Sequence, residues 1–151
     1  MKYTCTTVIN LPVDKVVELW ANPEHFDQWQ DGFESIELLE GEKEAVGAKS
    51  KITLQQGKRT LVLIETIQIN NLPKEKKALY EHTHMSNTQS SRFESIANNR
   101  TRYTSEVEYI KFSGFMPKLI ARLLPGMFEK QSQKWMDQFK EFAESAEQNG
   151  N

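Results

Sequence analysis

The chain has 151 residues, with 19 Lys and Arg against 21 Asp and Glu and a formal net charge of −2. Nucleic acids and anionic membranes need a concentrated basic patch on their partner, so this charge balance predicts neither as a partner. The single cysteine excludes an internal disulfide, and no apolar run is long enough for a transmembrane helix. Because the N-terminal residues also lack a signal-peptide pattern, we expect one soluble cytoplasmic domain over residues 1–151.

The first thirty residues predict one strand and two short helices. Residues 2–10 are rich in Thr and Val and alternate in character, which is typical of a strand. Asp14 is a suitable N-cap for a short helix, and Pro23 fits the first turn of a second one. An Asp31-Gly32 turn ends this part of the chain.

The middle of the chain predicts six strands in succession. Short turns rich in Gly, Asn and Pro separate them, including one at Ser86-Asn87, so neighbouring strands are expected to be antiparallel. We interpret Lys74, Lys76 and Lys77 as part of a solvated turn, because Glu75 interrupts this basic cluster. The predicted strands cover residues 35–39, 48–55, 60–69, 77–85, 89–97 and 101–112.

The last predicted element is a long amphipathic helix over residues 126–146. Phe128, Trp135 and Phe139 lie on one stripe of this otherwise charged helix, and such a stripe needs a broad apolar surface to pack against. The fold class predicted is therefore α+β: a seven-stranded curved antiparallel sheet wrapped around a long C-terminal helix, with two short helices between strands 1 and 2. A concave space between sheet and helix is a natural site for a small apolar molecule.

These features resemble one known family, the START-like, helix-grip superfamily (SRPBCC). Within it, the sequence is most similar to the polyketide cyclase/dehydrase and lipid-transport group, which also includes coenzyme-Q-binding proteins. The resemblance extends over about residues 2–146 and implies a deep cavity that holds lipids, sterols, polyketides or similar hydrophobic ligands. It rests on residues 8–12 (Val-Ile-Asn-Leu-Pro), Val16, Trp20, Asn22-Pro23, Phe26, Trp29, residues 35–41, Leu72-Pro73 and residues 135–142.

Three polar residues are candidates for catalysis. His82 and His84 are expected to share one face of the predicted strand 77–85 with Tyr80, either lining the cavity or facing solvent without a role. Two histidines at this spacing are also compatible with a metal site, but no third ligand is apparent, so we expect no metal and no cofactor. Glu65 follows an apolar run, where a buried carboxyl group can act as an acid; the alternative is an exposed position or an Arg partner.

Aromatic residues supply most of the candidate ligand contacts. Those on the two short helices either guard a cavity mouth or simply pack in the core. Those on the last two strands are expected to point inward, because the reverse alternation would bury carboxylates. The full candidate set is Trp20, Phe26, Trp29, Tyr80, His82, His84, Phe93, Tyr103, Tyr109, Phe128 and Trp135.

Three functions remain open from the sequence. The first is a non-enzymatic protein that binds a hydrophobic small molecule such as a lipid, sterol, quinone or polyketide-like compound. The second is a cyclase or dehydratase that acts on a polyketide-like substrate in the same cavity. The third is an interaction module that uses the apolar patch Phe115–Leu124, which is also a candidate lid or homodimer contact.

Overall fold

A computed structural model describes residues 1–114 and 126–148 of the chain. The first strand leads into two short helices joined by a 3-10 turn at Pro23–His25, six further strands follow, and a long helix comes last. The elements are β1 (Lys2–Ile9), α1 (Val13–Ala21), α2 (Phe26–Trp29), β2 (Phe33–Glu40), β3 (Lys49–Gln56), β4 (Arg59–Asn71), β5 (Glu75–Glu81), β6 (Met85–Ala97), β7 (Arg100–Phe112) and α3 (Gly126–Gln148).

The seven strands form one antiparallel sheet in the order β1-β7-β6-β5-β4-β3-β2. The six strands from β2 to β7 form a meander, and β1 adds to its far edge beside β7. This arrangement confirms the predicted fold class, including the two short helices between the first two strands. Of the helices described, none combines the length and the apolar character needed to cross a lipid bilayer.

The long helix α3 packs against β1 and α2. Tyr3 on β1 hydrogen-bonds Ser132 on α3, with 2.7 Å between the hydroxyl oxygens, and Lys140 Nζ donates to the Val8 carbonyl at 2.6 Å. Phe139, which is fully buried, meets the indole ring of Trp29 edge-on at 5.2 Å between centroids. The helix therefore lies over the β1 side of the sheet, and its aromatic stripe contributes to the core.

The predicted strand 77–85 is wrong at its C-terminal end. β5 ends at Glu81, and His82 and Met85 exchange backbone hydrogen bonds of 2.8 and 3.3 Å that close a tight turn. Ser86 and Asn87, predicted to form the turn, instead lie on β6, where Asn87 is directly opposite Tyr80. This shift brings four more residues into β6 than the sequence pattern indicated.

The tight turn between α2 and β2 depends on Gly32. Its φ angle is +75°, and its carbonyl accepts a hydrogen bond from the Gln55 backbone N–H at 2.7 Å. A Cβ atom at this position would lie 1.9 Å from the Gln55 carbonyl oxygen. Gly57, in contrast, has a φ of +61° but open space around the same position.

We predict that Gly32→Ala lowers the free energy of unfolding far more than Gly57→Ala. Each substitution costs about 1–2 kcal/mol for an alanine in the left-handed region, but only Gly32→Ala also forces β3 away from the turn. Urea unfolding of the two variants measures the difference. Equal losses of stability would show that the contact between Gly32 and Gln55 is not needed.

Candidate ligand-binding site

A cavity of about 520 Å³ lies between the inner face of the sheet and α3. Strands β3 to β7 supply its floor, and α3 supplies the opposite wall, including Phe128 and Trp135. The short helices contribute Trp20, Phe26 and Trp29. Among the described residues α3 packs mainly on β1 and α1 packs on β6 and β7, which leaves space over the inner positions of β3, β4 and β5.

One section of the cavity is apolar. Ile52 and Leu54 on β3 are paired directly with Leu63 and Leu61 on β4, so their side chains form a contiguous surface. Phe33 on β2, opposite Leu54, extends this surface toward the sheet edge. Such a surface gives an apolar ligand about 0.8 kcal/mol for each methylene group that it buries.

A row of polar side chains crosses the rest of the floor. Tyr109, Asn87, Tyr80 and Glu65 lie directly opposite one another on β7, β6, β5 and β4, and all four line the cavity. The Tyr80 hydroxyl donates a hydrogen bond of 2.9 Å to Glu65 Oε2. The cavity thus joins an apolar section to a floor that can form hydrogen bonds.

The hydrogen-bonded pair of Glu65 and Tyr80 is withdrawn from bulk solvent. Glu65 is only 7% exposed. Burial raises the pKa of the Tyr80 hydroxyl well above its usual value of 10.0, and the adjacent Glu65 charge raises it further. Tyr80 therefore keeps its proton at neutral pH and remains a hydrogen-bond donor.

A second polar row contains Ser105, Ser91 and Lys76, which are neighbours across β7, β6 and β5. Ser105 Oγ is buried and has no hydrogen-bond partner among the residues described. Lys76 Nζ forms an ion pair of 2.7 Å with Glu44 Oε2 and lies 5.8 Å from the centre of the Trp20 ring. The interpretation of Lys76 as a turn residue in solvent is wrong, because its side chain is only 11% exposed.

Ten of the candidate residues line the cavity. They come from both short helices, three strands, the turn after β5 and the long helix, so the fold brings them together from across the sequence. They are Trp20, Phe26, Trp29, Glu65, Tyr80, His82, Tyr103, Tyr109, Phe128 and Trp135.

Two candidate residues do not line the cavity. His84 is exposed in the turn between β5 and β6, because the strand that was expected to carry it has already ended. Phe93 is buried, as its alternation with Arg92 and Glu94 predicts, but it stacks on Tyr103 with ring centroids 4.7 Å apart. Phe93 therefore supports the wall of the cavity from the core side.

His82 borders the cavity at the end of β5. Burial lowers the pKa of His82 below its usual value of 6.5, and the neighbouring His84 lowers it further. The two imidazole rings are 6.0 Å apart between centroids. Across residues 1–114 and 126–148, no three potential metal ligands come together.

Sequence reasoning missed the polar floor. The signal was the spacing of Asn87, Gln89, Ser91 and the buried Phe93 at every second position, which places all four on one face of an extended strand. Assigning Ser86-Asn87 to a turn hid this pattern. Lys76 was missed for the same reason, because it alternates with Ala78 and Tyr80 only when the strand begins before residue 77.

The third candidate surface, Phe115–Leu124, falls on residues 115–125, which lie outside the part of the chain that the structure describes. Its suggested roles as an interaction surface, lid or homodimer contact therefore stay predictions.

Comparison with known proteins found similarity only at the level of structure. No family model matches the chain, and no curated protein matches its sequence. A START superfamily protein from Mycobacterium smegmatis superposes with a TM-score of 0.74 at 9% identity, covering 96% of this chain and 98% of that one.

Two aromatase/cyclases are also similar. The Zhui aromatase/cyclase from a Streptomyces strain gives a TM-score of 0.77 at 14% identity, covering 95% of this chain and 93% of the other. The di-domain aromatase/cyclase StfQ from the steffimycin biosynthetic pathway gives a TM-score of 0.74 at 14% identity, covering 98% of this chain and 46% of the StfQ chain. At these identities the likeness shows the fold alone.

The lowered pKa of His82 predicts a pH dependence of stability. The unfolded chain binds a proton at His82 more readily than the folded one, so stability falls as the pH drops below 6.5. We expect His82→Gln to reduce the loss of melting temperature between about pH 7.5 and about pH 5.5. The carboxyl groups of Asp31 and Glu144, whose pKa values are lowered from 3.8 and 4.5, lose their stabilisation only at lower pH.

Differential scanning fluorimetry of wild type and His82→Gln across this range measures the effect. Identical pH profiles for the two proteins would contradict the prediction.

Proposed function

We propose that this chain, which has the START-like, helix-grip fold, binds a hydrophobic small molecule in the cavity beside α3. The class of ligand is a lipid, sterol, quinone or polyketide-like compound, and the protein acts as a binding module. The observation that carries this proposal is the cavity of about 520 Å³ with its contiguous apolar section. Ligand sites in proteins have volumes of roughly 300–1,000 Å³ and are lined mainly by apolar and aromatic side chains with a few polar groups.

The polar groups of the floor support a ligand that is not a plain hydrocarbon. A buried polar group without a partner costs about 1–3 kcal/mol, and Ser105 Oγ has none among the described residues. A hydrocarbon would leave such groups without partners, whereas a ligand with oxygen or nitrogen atoms along one edge would satisfy them. The cavity is therefore suited to an amphiphilic molecule with an apolar body.

Ala78 provides the sharpest test of the cavity. It lies on the floor between the two polar rows, is 2% exposed, and is opposite Ile67 and Gln89 on the adjacent strands. Its neighbour Leu79 projects to the other face of the sheet, because successive strand residues alternate. Substitutions at these two positions place the same bulk inside and outside the cavity.

We predict that Ala78→Phe weakens binding of a fluorescent fatty-chain probe at least tenfold, because the new ring occupies the ligand's volume. Leu79→Phe is the matched control and should bind the probe as the wild type does. Fluorescence titration measures both affinities, and thermal unfolding checks that both variants fold. Undiminished probe binding by a folded Ala78→Phe variant would place the ligand elsewhere.

Native mass spectrometry of the protein purified from its own host identifies the ligand class directly. A co-purifying hydrophobic mass that disappears in Ala78→Phe supports the proposal. An empty protein that binds no member of a lipid, sterol, quinone and polyketide panel would contradict it.

An enzyme in the same cavity is the second candidate. The observation that favours it is the hydrogen bond between Tyr80 and the buried Glu65, which places a proton donor and a carboxylate together beside the ligand volume. A cyclase or dehydratase needs such groups to move protons on a bound substrate. In that case Glu65→Gln or Tyr80→Phe would abolish turnover of a polyketide-like substrate while its binding survives; a pure binding protein shows no turnover to lose.

A further inference from the structure

We propose that the cavity selects ligands whose apolar body carries a hydrogen-bond donor, a hydroxyl or an ammonium group, and that it rejects ligands ending in a carboxylate. The selecting group is Glu65. This inference rests on the proposed function and adds to it the chemistry of the ligand's polar end.

Two residues of the described part of the cavity wall carry a formal charge, Glu65 and Lys76. Lys76 already has an anionic partner, because Glu44 Oε2 lies 2.7 Å from its ammonium nitrogen. The Trp20 ring, 5.8 Å away, stabilises the same cation from another direction. The charge of Lys76 is therefore balanced within the protein.

The Glu65 carboxylate, in contrast, has no cationic partner among the described residues. None of the ion pairs found among the described residues includes it. Its hydrogen-bond partner is the neutral Tyr80 hydroxyl at Oε2. A carboxylate has two oxygens with about four acceptor sites, so a donor from the ligand can bind alongside Tyr80.

The neighbouring groups do not offset the negative charge of Glu65. Lys76 is four residues from Tyr80 along β5, which is about 13 Å in an extended strand. The lowered pKa of His82 leaves its imidazole uncharged at neutral pH, so it does not offset a carboxylate. A second carboxylate brought by the ligand would meet Glu65 at a position withdrawn from bulk solvent, where water screens the repulsion between like charges only weakly.

A matched ligand series tests the selection. The probes are 1-decylamine, 1-decanol and decanoate, which share a ten-carbon chain and differ in the polar end. Displacement of a bound fluorescent probe at neutral pH, repeated by calorimetry, gives the three affinities. We expect the amine and the alcohol to bind wild type at least tenfold more tightly than decanoate does.

Glu65→Gln is the decisive variant, because glutamine keeps the shape but removes the charge. It should weaken the binding of decylamine at least tenfold and strengthen the binding of decanoate. The difference in affinity between the two charged ligands should therefore shrink or change sign. Glu94→Gln is the matched control: it removes the same charge from an exposed position paired with Arg102, outside the cavity wall. The control should leave all three affinities unchanged.

The outcomes separate the two proposals. Equal binding of all three ligands, or a preference for decanoate, would overturn the selection by Glu65 and leave the binding function intact. Failure of all three ligands and of the fluorescent probe to bind wild type would overturn the binding function, and the selection with it. If Glu65→Gln does not fold, the wild-type series alone still decides the sign of the selectivity.

Discussion

The docking of α3 on one side of the sheet is the constraint on which the cavity depends. Tyr3 and Ser132 join the helix to β1, Lys140 binds the Val8 carbonyl, and Phe139 is fully buried. These contacts hold the helix beside β1, where Phe139 is buried while Phe128 and Trp135 line the cavity. Space is thereby left over the inner positions of β3, β4 and β5, and side chains at these positions line the cavity.

The composition of the floor reflects that freedom. Where α1 packs on the sheet the inner positions are aromatic, because Phe93 meets the Trp20 ring edge-on at 5.1 Å and stacks on Tyr103. Positions over the cavity include amide, hydroxyl and carboxyl groups beside the apolar section, among them those of Gln89 and Glu65. Burial of these groups in an apolar core would cost several kcal/mol in total. Their presence at inward-facing positions therefore favours the proposal of a ligand with polar groups along one edge.

The sequence predicted the architecture well because the architecture follows from periodicity. Alternating strands, short turns and one amphipathic helix have few compatible arrangements, and all seven strands were located. The errors in the predicted strands occurred at strand ends, where the position of a single turn decides which residues belong to the strand. The turn at His82 is closed by backbone hydrogen bonds, which leave no signal in the side chains. The direction of the His84 side chain was therefore predicted wrongly, and the polar residues at the start of β6 were assigned to a turn. The partnership of Lys76 with Glu44 joins residues 32 positions apart and has no local signal.

Because of that partnership we expect no anion site at the lysine in the cavity wall. Glu44 adopts a left-handed backbone conformation with φ of 66°, which costs a non-glycine residue about 1 kcal/mol or more. Asn70 holds this conformation by donating to the Glu44 carbonyl at 2.7 Å, and Lys76 binds the carboxylate. The β2–β3 loop thus brings an external negative charge to Lys76. Since that charge balances the lysine, we expect the Glu65 carboxylate to set the electrostatic character of the proposed ligand site.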